Sequence, residues 1–67
     1  MTIQLNGKQQ VIAEGIQTVE ALLESLGVKA KGIAVEVNGE ILSLDQLGSV
    51  QLHENDQVEV IQFVGGG

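Results

Sequence analysis

Gly65-Gly66-Gly67 closes a chain of 67 residues, and the reactive group at that end is the α-carboxylate of Gly67. With a reference pKa of about 3.3–3.7 it is ionised at neutral pH. An ionised carboxylate is a poor electrophile. It becomes an acyl donor once esterified to a better leaving group, which in cells usually means adenylation by ATP. The acyl adenylate is then open to a thiol, a persulfide or an amine. A glycine run suits a terminus that must enter a narrow site, because it has no side chains to accommodate. It has nothing to pack, and ordering it costs about 1–2 kcal/mol per residue in backbone entropy, so residues 65–67 are expected to form a flexible tail behind a domain spanning residues 1–64.

Elsewhere the chemistry-bearing residues are few. His53 is the one histidine and lies in a polar stretch with Glu54, Asn55 and Asp56. Glu54 and Asp56 read as turn formers; paired acid/base carboxylates need pKa values driven apart by burial. The chain has no cysteine, no Ser-His-Asp order, no phosphate loop and no metal-ligand spacing. No resident cofactor or metal is therefore expected, and the chain reads as a substrate for another protein's catalysis, not as an enzyme. Three lysines against nine carboxylates give a net charge of −6 with no arginine. That balance argues against nucleic acid and anionic membrane surfaces. It favours solubility and steering toward a basic patch on a protein partner. No apolar run approaches the roughly 20 residues of a membrane span, and residues 1–6 lack the layout of an export signal. A cytoplasmic protein is expected.

The elements that must hold such a tail follow from periodicity. Thr2 to Leu5 alternates polar and apolar, and Asn6-Gly7 is a strong hairpin signal. A return strand is expected over Lys8 to Ala13, with Ile3 and Leu5 facing the core. From Thr18 the period changes. Val19, Leu22, Leu23 and Leu26 form one helical face, with Thr18 as N-cap, Glu20 in the first turn and Gly27 as the stop. Ile33, Val35 and Val37 return to a period of two, and a second Asn-Gly at residues 38–39 turns the chain into Glu40 to Ser43. Leu44 to Gly48 reads as a turn or a single helical turn, and Val50 to Leu52 as a brief pairing segment.

The last strand, Gln57 to Val64, is apolar on both faces, which marks a central position. Val58, Val60 and Val64 share one face; Ile61 and Phe63 share the other. A strand that comes last and lies centrally is most simply inserted parallel to the first. The result is an α+β fold of the β-grasp type, a mixed sheet of about five strands with one α-helix on one face; a ferredoxin-like variant also fits the pattern. Ile61 and Phe63 would then lie on the uncovered face beside the tail, as a possible partner-docking surface, or be buried by curling of the sheet.

Four stretches carry a resemblance to a known family: Ile3-Gln4-Leu5-Asn6-Gly7-Lys8, Thr18-Val19-x-x-Leu22-Leu23, residues 33–39, and above all the closing run from Asp56 to Gly67. Over essentially its whole length the chain resembles the ThiS family, ubiquitin-like sulfur carriers of bacterial thiamine biosynthesis. The resemblance implies that an E1-like (ThiF-like) adenylating enzyme uses ATP and magnesium to activate Gly67. Sulfur from a cysteine persulfide then leaves a thiocarboxylate, which a ThiG-like thiazole synthase consumes. Gly66 and Gly67 match the family's terminal pair, and Gly65 its three-glycine variant; Gly65 and Gly66 would thread into the partner. The same fold and Gly-Gly terminus occur in the sulfur-carrying small subunit of molybdopterin synthase and in ubiquitin-like protein modifiers. A β-grasp interaction module with an inert tail is the remaining alternative.

Overall fold

Asn6 and Asn38 both adopt a positive φ of 51°, followed by Gly7 and Gly39 at 81° and 86°. Each Asn-Gly pair therefore makes the tight reversal that its type favours. The first joins β1 (Thr2–Leu5) to β2 (Lys8–Val11), and the second joins β3 (Ile33–Val37) to β4 (Glu40–Leu42). A computed structural model describes residues 1–63 of the chain; residues 64–67 lie outside the described residues. They include Val64 and the three glycines.

The final strand, β5 (Gln57–Gln62), lies between the two hairpins, giving the order β2-β1-β5-β3-β4. It runs parallel to β1, with Gln4 opposite Gln57 and Leu5 opposite Val58. Against β3 it is antiparallel over five residue pairs, from Ile33 and Gln62 to Val37 and Val58. This is the β-grasp arrangement that the pattern predicts, with its last strand in the centre.

The helix α1 (Val19–Ser25) begins where Thr18 caps it: the Ala21 N–H donates to the Thr18 hydroxyl oxygen at 3.1 Å. It stops through a Schellman motif. Gly27, at φ 72°, donates its N–H to the Glu24 carbonyl, and Val28 donates to that of Leu23 at 3.0 Å. The stop falls at Gly27 as the sequence predicts, yet the core differs from the expected helical face. Val19, Leu22 and Leu23 are buried, whereas Leu26 is 42% exposed and the half-buried Val28 packs on the core instead. The return strand likewise ends at Val11 rather than Ala13. Ile12 leaves the strand to bury its side chain, although its N–H still donates to the Met1 carbonyl at 2.7 Å. Leu44–Gln46 forms a 3₁₀ turn, and Gln51 makes a single antiparallel bridge to Thr18.

One face of the sheet is packed. Ile3, Val35 and Val58 from three strands meet Val19 and Leu22 from the helix, all essentially inaccessible. Each such side chain contributes roughly 1.5–3 kcal/mol by burial. Asp56 is the one buried polar side chain among the described residues. It accepts hydrogen bonds from Asn38 Nδ2 at 2.9 Å and from the His53 N–H at 2.8 Å. It therefore ties the β3–β4 turn to the turn that launches β5. Replacing Asp56 with Ala leaves both donors without their partner. Urea unfolding is expected to show a loss of about 1–3 kcal/mol, large for a domain this small, with the m-value unchanged.

Candidate functional site

The root of the tail is held by backbone pairing on both sides of β5. On the β1 side the parallel ladder begins with the Gln4 N–H donating to the Asp56 carbonyl at 2.8 Å, and continues with the Asn6 N–H donating to Val58 at 2.9 Å. There β1 turns away, and the Asn6 side chain replaces it: the Val60 N–H donates to Asn6 Oδ1 at 2.8 Å. On the β3 side the ladder runs one residue past the strand, with the Phe63 N–H donating to the Gly32 carbonyl at 3.0 Å. Phe63 is thus fixed through its backbone, and the chain continues from it into residues 64–67.

Strand alternation and register decide what surrounds this point. Val58 and Val60 point to the helix side. Ile61 and Phe63 point to the opposite face, which no other element among the described residues covers, and they are 49% and 68% exposed. Burial of these two residues by curling of the sheet is therefore corrected by the structure. Ala34 lies opposite Ile61, and Ile41 lies opposite Glu36, which lies opposite Glu59. Ile41 is 69% exposed. It joins this face although the sequence analysis did not single it out. The signal was present: the Asn38-Gly39 turn fixes the register, and with Leu42 inward, Ile41 must face out. An open groove beside the tail root is lined by Gly27, Lys29, Lys31, Gly32, Gln62 and Phe63, so two of the three lysines stand there.

His53 and Asp45 both belong to turns. The His53 side chain is 76% exposed and its Nδ1 lies 3.9 Å from Asp56 Oδ2, while Asp56 is engaged in the turn. The Ser43 hydroxyl donates to Asp45 at 2.6 Å and holds its carboxyl below the ordinary carboxylate value. That pair is on the 3₁₀ turn. Among the described residues there is no group of three His, Cys, Asp or Glu side chains able to hold a metal, and no helix is long and apolar enough to cross a membrane. The described residues supply a surface and an anchored tail root; Gly65, Gly66 and Gly67 lie outside them.

The model of the ThiS family matches residues 3–67. The chain belongs to the ThiS family. It is 37% identical over 65 residues to the sulfur carrier protein ThiS of Bacillus subtilis, covering 97% of this chain and 98% of that protein. A crystal structure of the thiamine biosynthesis protein ThiS from Geobacter metallireducens superposes with a TM-score of 0.85 at 33% identity, each chain covered in full. That similarity places the fold among the ubiquitin-like β-grasp domains of ThiS. The chain is also 45% identical over all its 67 residues to a thiazole synthase of Magnetococcus marinus, of which it covers 20%. It thus spans about a fifth of the length of the thiazole synthases it matches.

The exposure of Ile61 and Phe63 sets an expected outcome for this ThiS-family domain. Phe63→Ala and Ile61→Ala remove little buried surface, so thermal melting should register less than about 1 kcal/mol for each, against about 2–5 kcal/mol for a core truncation such as Leu22→Ala.

Proposed function

We propose that this chain is a sulfur carrier of thiamine biosynthesis and that sulfur travels as a thiocarboxylate on Gly67. The observation that carries the reading is the reach of the family match, which runs from the first strand through the terminal glycine. An E1-like enzyme using ATP and magnesium would let the Gly67 carboxylate attack the α-phosphate, expelling pyrophosphate and forming the acyl adenylate. The outer sulfur of a cysteine persulfide then attacks the acyl carbon and expels AMP. A second thiol cleaves the resulting S–S bond, forming a disulfide with the donor cysteine and leaving C-terminal thiocarboxylate. The catalysts for these steps belong to partners, so the chain is not itself an enzyme, and the pathway it serves is cytoplasmic.

A thiazole synthase is the proposed acceptor. The support is that a segment similar to the whole of this chain forms part of thiazole synthases from Magnetococcus marinus and Paramagnetospirillum magneticum. Ile61 and Phe63, exposed beside the tail root, serve as a docking surface, and Gly65 and Gly66 thread into the partner's site. Intact mass spectrometry of the protein isolated from its native host tests the reading. A species heavier by the exchange of one oxygen for sulfur, localised to the C-terminal peptide, is expected; its absence from cells making thiamine would sink the proposal.

Gly66→Ala separates two reasons for a glycine tail. If glycine supplied flexibility alone, alanine would reduce the freedom of the unbound tail, an effect worth about 0.4–1 kcal/mol, and would do little harm. If the tail threads a close-fitting channel, a Cβ collides with its wall or forbids a φ above zero. The second outcome is expected: an unchanged melting temperature, since residue 66 lies beyond the last strand, with loss of ATP–pyrophosphate exchange by the adenylating enzyme.

A further inference from the structure

Each hairpin turn contains an asparagine followed by a glycine, Asn6-Gly7 and Asn38-Gly39. Glycine has no Cβ to shield its own backbone nitrogen, so that nitrogen is open to attack the preceding Asn side chain. The glycine N–H first gives its proton to a base in solution. A bond then forms from the nitrogen to Asn Cγ, the Cγ–Nδ2 bond breaks, and ammonia leaves a succinimide ring. Water opens the ring at one carbonyl or the other. One opening gives aspartate; the other gives isoaspartate, whose backbone runs through the former side chain. One water is consumed and one ammonia released, with no oxidant or reductant. The two turns are close copies, with φ 51° at both asparagines and 81° and 86° at the glycines. Both asparagines are exposed. Both also donate their backbone N–H to β5, Asn6 to Val58 at 2.9 Å and Asn38 to Gln57 at 2.8 Å. Backbone shape and access to water therefore do not distinguish them.

Their side chains do. The Asn38 amide is held at both ends: Nδ2 donates to Oδ1 of the buried Asp56 at 2.9 Å, and Oδ1 accepts from the Gln57 N–H at 2.9 Å. The Asn6 amide is held at one end, where Oδ1 accepts from the Val60 N–H at 2.8 Å. Among the described residues that oxygen is the only Asn6 side-chain atom in a hydrogen bond. The nitrogen that must leave is thus tied down at Asn38 and not at Asn6. We propose that Asn6 is a site of spontaneous deamidation in the folded protein, and that the contact with Asp56 keeps Asn38 as the amide. Aspartate at position 6 retains an acceptor for the Val60 N–H. Isoaspartate lengthens the turn by one backbone carbon and moves its carboxylate out of register with Val60, so β5 is released on its β1 side beyond Val58. At position 38 either product replaces a donor to Asp56 with a second acceptor. The turn whose aspartate form breaks the link to Asp56 is the one that the fold protects.

The test holds the full chain folded in mildly alkaline buffer, samples it over days and digests each sample with trypsin. Asn6 and Asn38 fall on different peptides, residues 1–8 and 32–67, and fragmentation by mass spectrometry places the exchange of amide for carboxyl within the second. A parallel sample is kept in strong denaturant. In the folded chain Asn6 should convert faster than Asn38 by about tenfold, the worth of one well-made hydrogen bond. In denaturant the two should convert at comparable rates. Equal rates in the folded chain, or faster conversion at Asn38, would overturn the assignment. So would an intact Asn6 over a time in which the denatured chain converts. The same preference for Asn6 in denaturant would place the cause in local sequence and would equally overturn it. Asn6→Asp and Asn38→Asp report the consequence by thermal melting: the first should melt close to the parent and the second clearly below it. The reverse order would show that the link to Asp56 is not what holds the Asn38 amide.

Discussion

The position of β5 depends on a short parallel seam with β1, and everything that concerns the tail depends on β5. Only two residue pairs, Gln4 with Gln57 and Leu5 with Val58, form the seam proper. Parallel pairs are somewhat less stable per residue than antiparallel ones, and this one joins the two ends of the chain, so its closure entropy is large. Side chains extend it at both ends. Asn6 accepts from Val60 after β1 has turned away, and Asp56 fixes the turn that feeds β5 in from the other side. Asn6 thus has two duties, a left-handed turn residue in the first hairpin and a surrogate strand for the last. Alanine at that position would disfavour the turn conformation and also leave the Val60 amide without its acceptor.

A chain this small has apolar material for one packed layer. The helix spans seven residues, about 10 Å at 1.5 Å per residue, and it covers the middle of one sheet face. β2, at the edge, is exposed along its whole length. Among the described residues the far face receives no second layer, so the residues there answer to solvent or to partners. Alternation along the central strand then has a direct consequence: the residues that hold β5 in the core, Val58 and Val60, dictate that Ile61 and Phe63 stand outside it. Packing on one side creates the apolar surface on the other.

Much of this was legible in the residues. Two Asn-Gly turns, a clear change of period at Thr18 and a doubly apolar final strand were sufficient to place five strands and the helix and to put β5 in the centre. The errors have local causes. Leu26 fits the 3.6-residue stripe, but it is the cap residue before the Gly27 stop, and periodicity does not register that the cap turns out of the core while Val28 packs in. The return strand was drawn two residues too long because Ile12 is apolar in either role. Whether Ile61 and Phe63 are covered could not be read from their types, since that depends on how far the sheet curls and on what crosses it. The opposition of Glu36 to Glu59 is a matter of register between strands more than twenty positions apart in sequence, and single-strand patterns do not contain it.

A glycine tail also limits where selectivity can reside. On the carrier reading, residues 65–67 offer a partner backbone and the carboxylate of Gly67, with no side chain by which one carrier's end differs from another's. A site narrow enough to demand glycine rejects bulkier ends, yet it admits every glycine end equally. Discrimination among carriers must therefore come from the folded surface next to the tail. If the proposed carrier serves two enzymes in turn, that surface cannot be strongly apolar throughout, because it has to leave one before reaching the next, and large apolar interfaces tend toward permanence. A few exposed apolar residues around uncompensated charges meet both demands. The charges reject a mismatched partner at a cost of unpaired or opposed groups, and they add to the rate of encounter more than to the lifetime of the complex. Selectivity and release then come from the same few side chains, on the face that the single core leaves open.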